Sequence, residues 1–201
     1  DENTITDNTA TGNVRGIWLR FSTGNTISGN TANGSVWSGI TLSGHAENNT
    51  ISGNAAFGNG EHGIYFETGN NNTISGNIAT GNKNGIHLSG SDNTISGNTA
   101  NGNRQHGVRL ISSSNNTISG NTATGNQEYG ICLYSSGGNT ICLNTFDNVN
   151  NSWSDSSNSW NATTSQTYYE HGGRNLTGFL GNVWSDYDGF DCDGDGVGDS
   201  P

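Results

Sequence analysis

Near its end the chain carries a run of residues suited to a hard cation. Asp191-x-Asp193-x-Asp195-Gly196-x-x-Asp199 alternates carboxylates through a Gly-rich loop. Such spacing lets several oxygens converge on one ion, and the Gly permits the sharp turn. Because every side chain offered is an oxygen donor, calcium is the expected cofactor. Val197 falls within the alternating set, and Asp186 or Asp188 can add further oxygens. The bidentate acid that closes an EF-hand loop is missing, so the motif resembles the loops of calcium-stabilised extracellular repeats. The expected role is to lock the tail; the bland alternative is a solvated acidic segment.

Other chemistry is harder to assemble. His62 and His106 share one offset in the chain's repeat, two coils or about 10 Å apart, while His87 occupies a different offset. A metal holds its ligands at about 2 Å, so these imidazoles are not expected to share one. A glycosidase needs two carboxylates roughly 5–10 Å apart, whereas Glu61, Glu67, Asp92 and Glu128 are scattered. A lyase acting on an acidic sugar would set a basic residue above a calcium cluster on the rod, but Arg109 has neutral or hydrophobic neighbours. The expectation is therefore a chain that is not an enzyme and has no catalytic residues. Cys132, Cys142 and Cys192 lack C-x-x-C spacing and are disulfide candidates. Any one bridge leaves a thiol over, and the spacing does not choose the pair. N-x-[ST] sequons at Asn33, Asn48, Asn71, Asn115, Asn150, Asn161 and Asn175 are candidates for glycosylation.

These residues are positioned by a repeat. Asn-Thr-Ile recurs with its Ile at 5, 27, 51, 74, 95, 118 and 141. Three residues after each Ile comes Asn (Asn8, Asn30, Asn54, Asn77, Asn98, Asn121, Asn144), and five after it comes Ala until Phe146. Further on comes Gly-[Ile/Val]-x-[Leu/Phe], as in Gly63-Ile64-Tyr65-Phe66 and Gly85-Ile86-His87-Leu88. Each repeat thus offers three short strands whose period-2 alternation sends Ile, Ala, Ile and Leu to one side. Fixed offsets make sense only if equivalent residues stack. The predicted fold is all-β, a right-handed single-stranded parallel β-helix over residues 1–148, with an aromatic- and Asp-rich cap over 149–201. The Asn column predicts an internal amide ladder. Two outward strands are monotonous Thr and Ser. The third varies, placing Trp18, Tyr65, His87 and Arg109 in one column and Tyr134 two residues on from it. This is the expected contact face, with drift on an exposed ladder as the bland reading.

Composition agrees with a solenoid. Hydrophobic residues are only 28 % and charged ones 11 %, with 32 Gly and one Pro, so a thin stacked core is feasible where a globular one is not. A net charge of −11 with six Lys and Arg excludes a phosphate-binding surface, so no nucleic acid is expected. No apolar stretch approaches the roughly 20 residues of a membrane span, so membrane insertion is not expected.

The coils resemble the parallel β-helix repeats of NosD-type and archaeal surface-layer proteins. The tail Gly181-Asn182-Val183-Trp184-Ser185-Asp186-Tyr187, with the Asp/Gly-rich run to Pro201, is similar to the ending of the archaeal members; Cys192 departs from that pattern. The likeness to NosD raises copper, for which the histidine offsets and the lack of Met argue poorly. An unpaired first coil invites strand addition. The expectation is an extracellular, cell-surface structural protein, homopolymerising head to tail into a layer, sheath or fibre. The alternative is an adhesion or carbohydrate-binding module that contacts cell-surface glycans, with Trp18 and Tyr65 as stacking platforms.

Overall fold

The computed structural model describes residues 1–169 and 175–185. Alternation within three-residue strands is what winds the chain. In Thr50–Ser52 the central Ile51 is fully buried while Thr50 and Ser52 stay half-exposed. A corner leads to a second short strand, Ala55–Phe57, and a wider one to a third, His62–Phe66. Corresponding strands pair in parallel and in register: Ile51 lies over Ile27 and Ile74, Ala56 over Ala79, and Ile64 over Ile40 and Ile86. The product is a right-handed parallel β-helix whose first and third sheets each hold seven strands. The second sheet narrows at Thr99 to isolated bridges with Ile78 and Thr122. There is no helix among the described residues, and hence none long and apolar enough to cross a membrane.

The core is one file per position. Ile27, Ile51, Ile74, Ile95, Ile118 and Ile141 stack with no exposed surface, faced by the Ala column and by the Ile, Leu and Phe of the third strands. Full burial of each such Ile stabilises the fold by roughly 1.5–3 kcal/mol. The Gly ahead of each third strand is required by close approach: a Cβ on Gly85 would lie 2.6 Å from the Gly107 carbonyl oxygen and 2.9 Å from the Ala100 Cβ.

Corners are satisfied by amide ladders, and there are three rather than the one expected. In the first, the Asn54 main-chain N–H and Nδ2 both donate to Asn77 Oδ1 at 2.9 Å, and Asn54 Nδ2 also donates to the Ile27 carbonyl. This column runs from Asn8 to Asn144 and closes on Asn182. The Asn of each Asn-Thr-Ile makes a second ladder, from Asn3 to Asn158. A third runs from Ser35 through Asn59, Asn82, Asn103 and Asn126 to Asn148. The main-chain N–H of each buried Asn in these columns short of Asn182 donates to the side-chain oxygen of its counterpart in the next coil.

Parallel pairing continues past residue 148: Asn150–Ser154 joins the third sheet beside Tyr129–Tyr134, and Val183–Trp184 joins Thr145–Asp147. Trp184 stacks on Phe146 at 4.9 Å between centroids and meets Trp160 at 5.6 Å, covering this end of the core. At the other end, Thr4–Thr6, Thr9–Thr11 and Ile17–Arg20 each have one neighbour, and Ile5 and Ala10 are only half-buried.

Candidate functional site

The third sheet's outward face is built by register. Trp18 pairs with Thr41, Thr41 with Tyr65, Tyr65 with His87, His87 with Arg109, Arg109 with Cys132, and Cys132 with Trp153. Six coil steps of about 4.8 Å make this column roughly 29 Å long. Both ends are aromatic. At one, the Arg15 guanidinium lies 4.4 Å from the centroid of Trp18 and 4.1 Å from that of Trp37, and Trp18 Nε1 donates to Ser43 Oγ. At the other, Tyr134 and Trp153 stack nearly parallel, 12° apart, at 6.0 Å.

The middle holds the titratable groups. His87 Nδ1 lies 3.1 Å from His62 Nε2, and the two rings meet edge to face at 4.5 Å; Tyr65 packs against both, 4.9 Å from His62 and 5.1 Å from His87. The expected separation of the histidines is corrected here. His87 sits at a different offset, but its ring reaches back across one coil to His62, so different offsets bring these two together. Burial, reinforced by Lys83 and Arg109, lowers the His62 pKa to about 4. Burial, then His62, Arg109, His106 and Lys83, lowers that of His87 to about 3. Both rings are therefore neutral at ordinary pH. Tyr65 is held above its usual value by burial and by Glu67. On the flank, Lys83 Nζ pairs with Glu61 Oε2 at 2.9 Å, and His106 Nε2 lies 3.5 Å from Glu128 Oε2.

Four buried polar atoms here have no hydrogen-bond partner among the described residues: Thr41 Oγ1, His87 Nε2, His106 Nδ1 and Arg109 Nε. Thr41, His87 and Arg109 share the column. A neutral imidazole, a phenol and a guanidinium set side by side can polarise an anion and exchange protons with it.

Trp18, Tyr65, His87, Arg109 and Tyr134 thus lie on one face, as the alternation predicts. Sequence reasoning missed Trp37 and Arg15 as members of this surface, and the buried His62 and Asn84 that hydrogen-bond in line with His87. The signal for Trp37 is a bulky residue two places before the Gly that opens a third strand. Cys132 and Cys142 are buried free thiols that burial raises above their usual pKa; Cys192 lies outside the described residues. So do Asp186, Asp188, Asp191, Asp193, Asp195, Val197 and Asp199, the candidate calcium ligands. Among the sequons, Asn48, Asn71, Asn115, Asn150 and Asn161 are exposed, Asn33 is half-buried, and the side chain of Asn175 is not described.

The family described as periplasmic copper-binding protein (NosD) matches residues 1–49 and 38–189. No curated protein matches the chain. Among solved structures, a double mutant of the periplasmic alginate epimerase AlgG is similar, with 22 % identity and a TM-score of 0.72 over 76 % of this chain and 38 % of that one. The A-module of an Azotobacter vinelandii mannuronan C-5 epimerase gives 18 % identity and 0.57, over 78 % of this chain and 56 % of the other. The enzymatically active domain of a tailspike protein from bacteriophage CBA120 gives 15 % and 0.54, over 79 % and 28 %. The chain spans less than two thirds of each, and at these identities the likeness is one of fold.

The expectation of a chain without catalytic function does not stand. These similar structures are named as enzymes, so a parallel β-helix of this kind occurs in enzymes. The sequence reading looked for paired carboxylates and for a basic residue above a calcium cluster, and neither criterion bears on the imidazole, phenol and guanidinium that the third sheet sets side by side. Copper fits the described residues poorly: no group of three or more His, Cys, Asp or Glu that could hold a metal occurs among them, and the two close nitrogens, His62 Nε2 and His87 Nδ1, bond each other. The matches to residues 1–49 and 38–189, carried on a right-handed parallel solenoid, place the chain in the NosD family of periplasmic β-helix proteins.

Proposed function

We propose that this chain is an extracytoplasmic β-solenoid that holds an extended glycan lengthwise on its third sheet. One observation carries the reading: every described aromatic–aromatic and cation–aromatic contact outside the C-terminal end of the core and the Arg20–Phe21 pair falls on or beside this face. Sugar rings present apolar faces that stack on Trp and Tyr, while their hydroxyls and acid groups need fixed polar partners. The aromatic ends lie about 29 Å apart, a span suited to several linked sugars. The similar structures named for alginate and mannuronan support a polysaccharide ligand.

Affinity electrophoresis through gels containing acidic or neutral glycans tests this. Retardation in at least one gel, reduced about tenfold by Trp37→Ala or Tyr134→Ala, is the expected result. Unchanged mobility in all gels overturns the reading.

A second reading, assembly into a surface layer, sheath or fibre, is favoured by the single-neighboured strands and half-buried Ile5 and Ala10 of the first coil. Head-to-tail contact with another copy would complete that coil, and calcium at the Asp-rich tail would stiffen the donor end. Sedimentation with and without chelator tests it: a monomer at every concentration and calcium level refutes it.

A further inference from the structure

We propose that His87 Nε2–H and the Arg109 guanidinium form a preorganised seat for a carboxylate of the bound glycan, with His87 fixed as the donor by a relay from Asn84 through His62. This rests on the glycan reading and narrows it to sugars that carry an acid group.

The polarity of the relay follows from one hydrogen bond. The His106 main-chain N–H donates to Asn84 Oδ1 at 3.2 Å, which leaves the Asn84 amide nitrogen facing His62 Nδ1 at 3.2 Å. An amide nitrogen only donates, so His62 Nδ1 carries the lone pair and His62 Nε2 the proton. That proton is given to His87 Nδ1, 3.1 Å away. A neutral His87 must then carry its own proton on Nε2, the atom with no partner among the described residues. His87 is 8 % exposed, so this donor is withdrawn from bulk water.

Arg109 is the register neighbour of His87, about one strand spacing of 4.8 Å away. Its buried Nε is likewise unpartnered. Two adjacent donors, one of them permanently charged, suit the two oxygens of a planar carboxylate. Charge points the same way. The chain carries −11 overall, yet of the described cations Arg15, Arg20, Lys83, Arg104 and Arg109 only Lys83 has a described carboxylate within ion-pair distance. Glu61 is taken up by Lys83, and Glu128 by His106 and Gln105. The planar guanidinium matches the two coplanar oxygens of a carboxylate, which is favoured over a tetrahedral sulfate.

The groups facing His87 are His62, Tyr65, Arg109, Lys83 and His106, backed by Glu61, Glu67 and Glu128. Between about pH 5 and 8 burial keeps His62 and His87 neutral, and it lowers the pKa of His106. The seat should therefore bind with constant affinity over that range, unlike an exposed histidine, which titrates near about 6.5.

Two measurements test the seat. In the free protein, long-range proton–nitrogen NMR of His87 should show the Nε2–H tautomer; an Nδ1–H tautomer overturns the relay. By calorimetry at fixed ionic strength, an oligouronate should bind at least about tenfold more tightly than its carboxyl-reduced counterpart. Arg109→Gln should abolish that preference, Arg109→Lys should retain part of it, and all variants are compared at matched melting temperature and circular dichroism. His62→Ala, a positioning change, removes the donor to His87 Nδ1 and should release His87 from the single Nε2–H tautomer, read by the same NMR experiment. Equal binding of acidic and reduced sugars overturns the seat and leaves the glycan reading standing; no binding of either removes the glycan reading. A preference that survives Arg109→Gln, or tighter binding of a sulfated oligosaccharide, also overturns the seat.

Discussion

Replacing Asn98 by Ala should destabilise the solenoid by about 4 kcal/mol, although it removes no apolar surface worth the name. Asn98 is 1 % exposed. Its Oδ1 accepts from the main-chain N–H and the Nδ2 of Asn77, both at 2.9 Å, and its Nδ2 donates to the Ile74 carbonyl and to Asn121 Oδ1, again at 2.9 Å. After truncation the Asn77 N–H keeps no acceptor, and a buried unsatisfied donor costs about 1–3 kcal/mol. The other three bonds each contribute a net ~0.5–1 kcal/mol. Asn77 Nδ2 still reaches the Ile51 carbonyl, and Asn121 Oδ1 still accepts from the Asn98 main chain, so neither adds a full penalty. Urea unfolding at constant m-value measures the change. Thr117→Ala, at an exposed position one coil on, is the control and should shift stability by about 0.5 kcal/mol or less. A loss for Asn98→Ala within about 1 kcal/mol of that control would mean that water satisfies the corner as well as the amide does, and the ladder argument would fail.

Gly85→Ala should cost more than about 2 kcal/mol, since its Cβ would press on the Gly107 carbonyl oxygen at 2.6 Å and the neighbouring Asn103 amide at 2.9 Å; an unchanged thermal midpoint contradicts the close stacking. His62 and His87 have folded pKa values near 4 and 3, below the unfolded value of 6.5, so the unfolded chain binds more protons in between. Their contribution is complete above about pH 6.5 and is lost as pH falls toward the folded values, by at most about 1.4 kcal/mol per pH unit for each histidine. Melting temperatures from pH 8 to 4 should show this fall, and a His62→Gln, His87→Gln double variant should flatten it. Calorimetric titration with calcium should reveal one site that Asp193→Asn with Asp195→Asn removes; heat unaltered in that variant shows that the Asp-rich tail is not the ligand set.

The winding itself was legible along the chain. Ile at intervals of 21 to 24 residues, with Asn three and Ala five places later, leaves few geometries besides a coil in which like stacks on like. The reason is local: a three-residue strand buries only its middle side chain, so every repeat has to write its core into the same few positions. The first Asn ladder was legible for the same reason. The third was harder to see because Ser35 opens it and the offset shifts at Asn148.

The site was legible only as a face. Alternation puts Trp18, Tyr65, His87 and Arg109 outward in one column, but offsets along the chain measure backbone position, not side-chain reach. That is why His62 and His87, three columns of sequence apart in register, look separate until the ring of His87 is seen bonded to His62. The same holds for Arg15, which joins two aromatic rings from different coils. Backbone periodicity is a property of each repeat and can be read from one dimension. The contact of His62 with His87, the lack of a described carboxylate within ion-pair distance of Arg109 and the burial that neutralises the imidazoles arise from side chains of separate coils meeting across the stack, and only the folded chain fixes them.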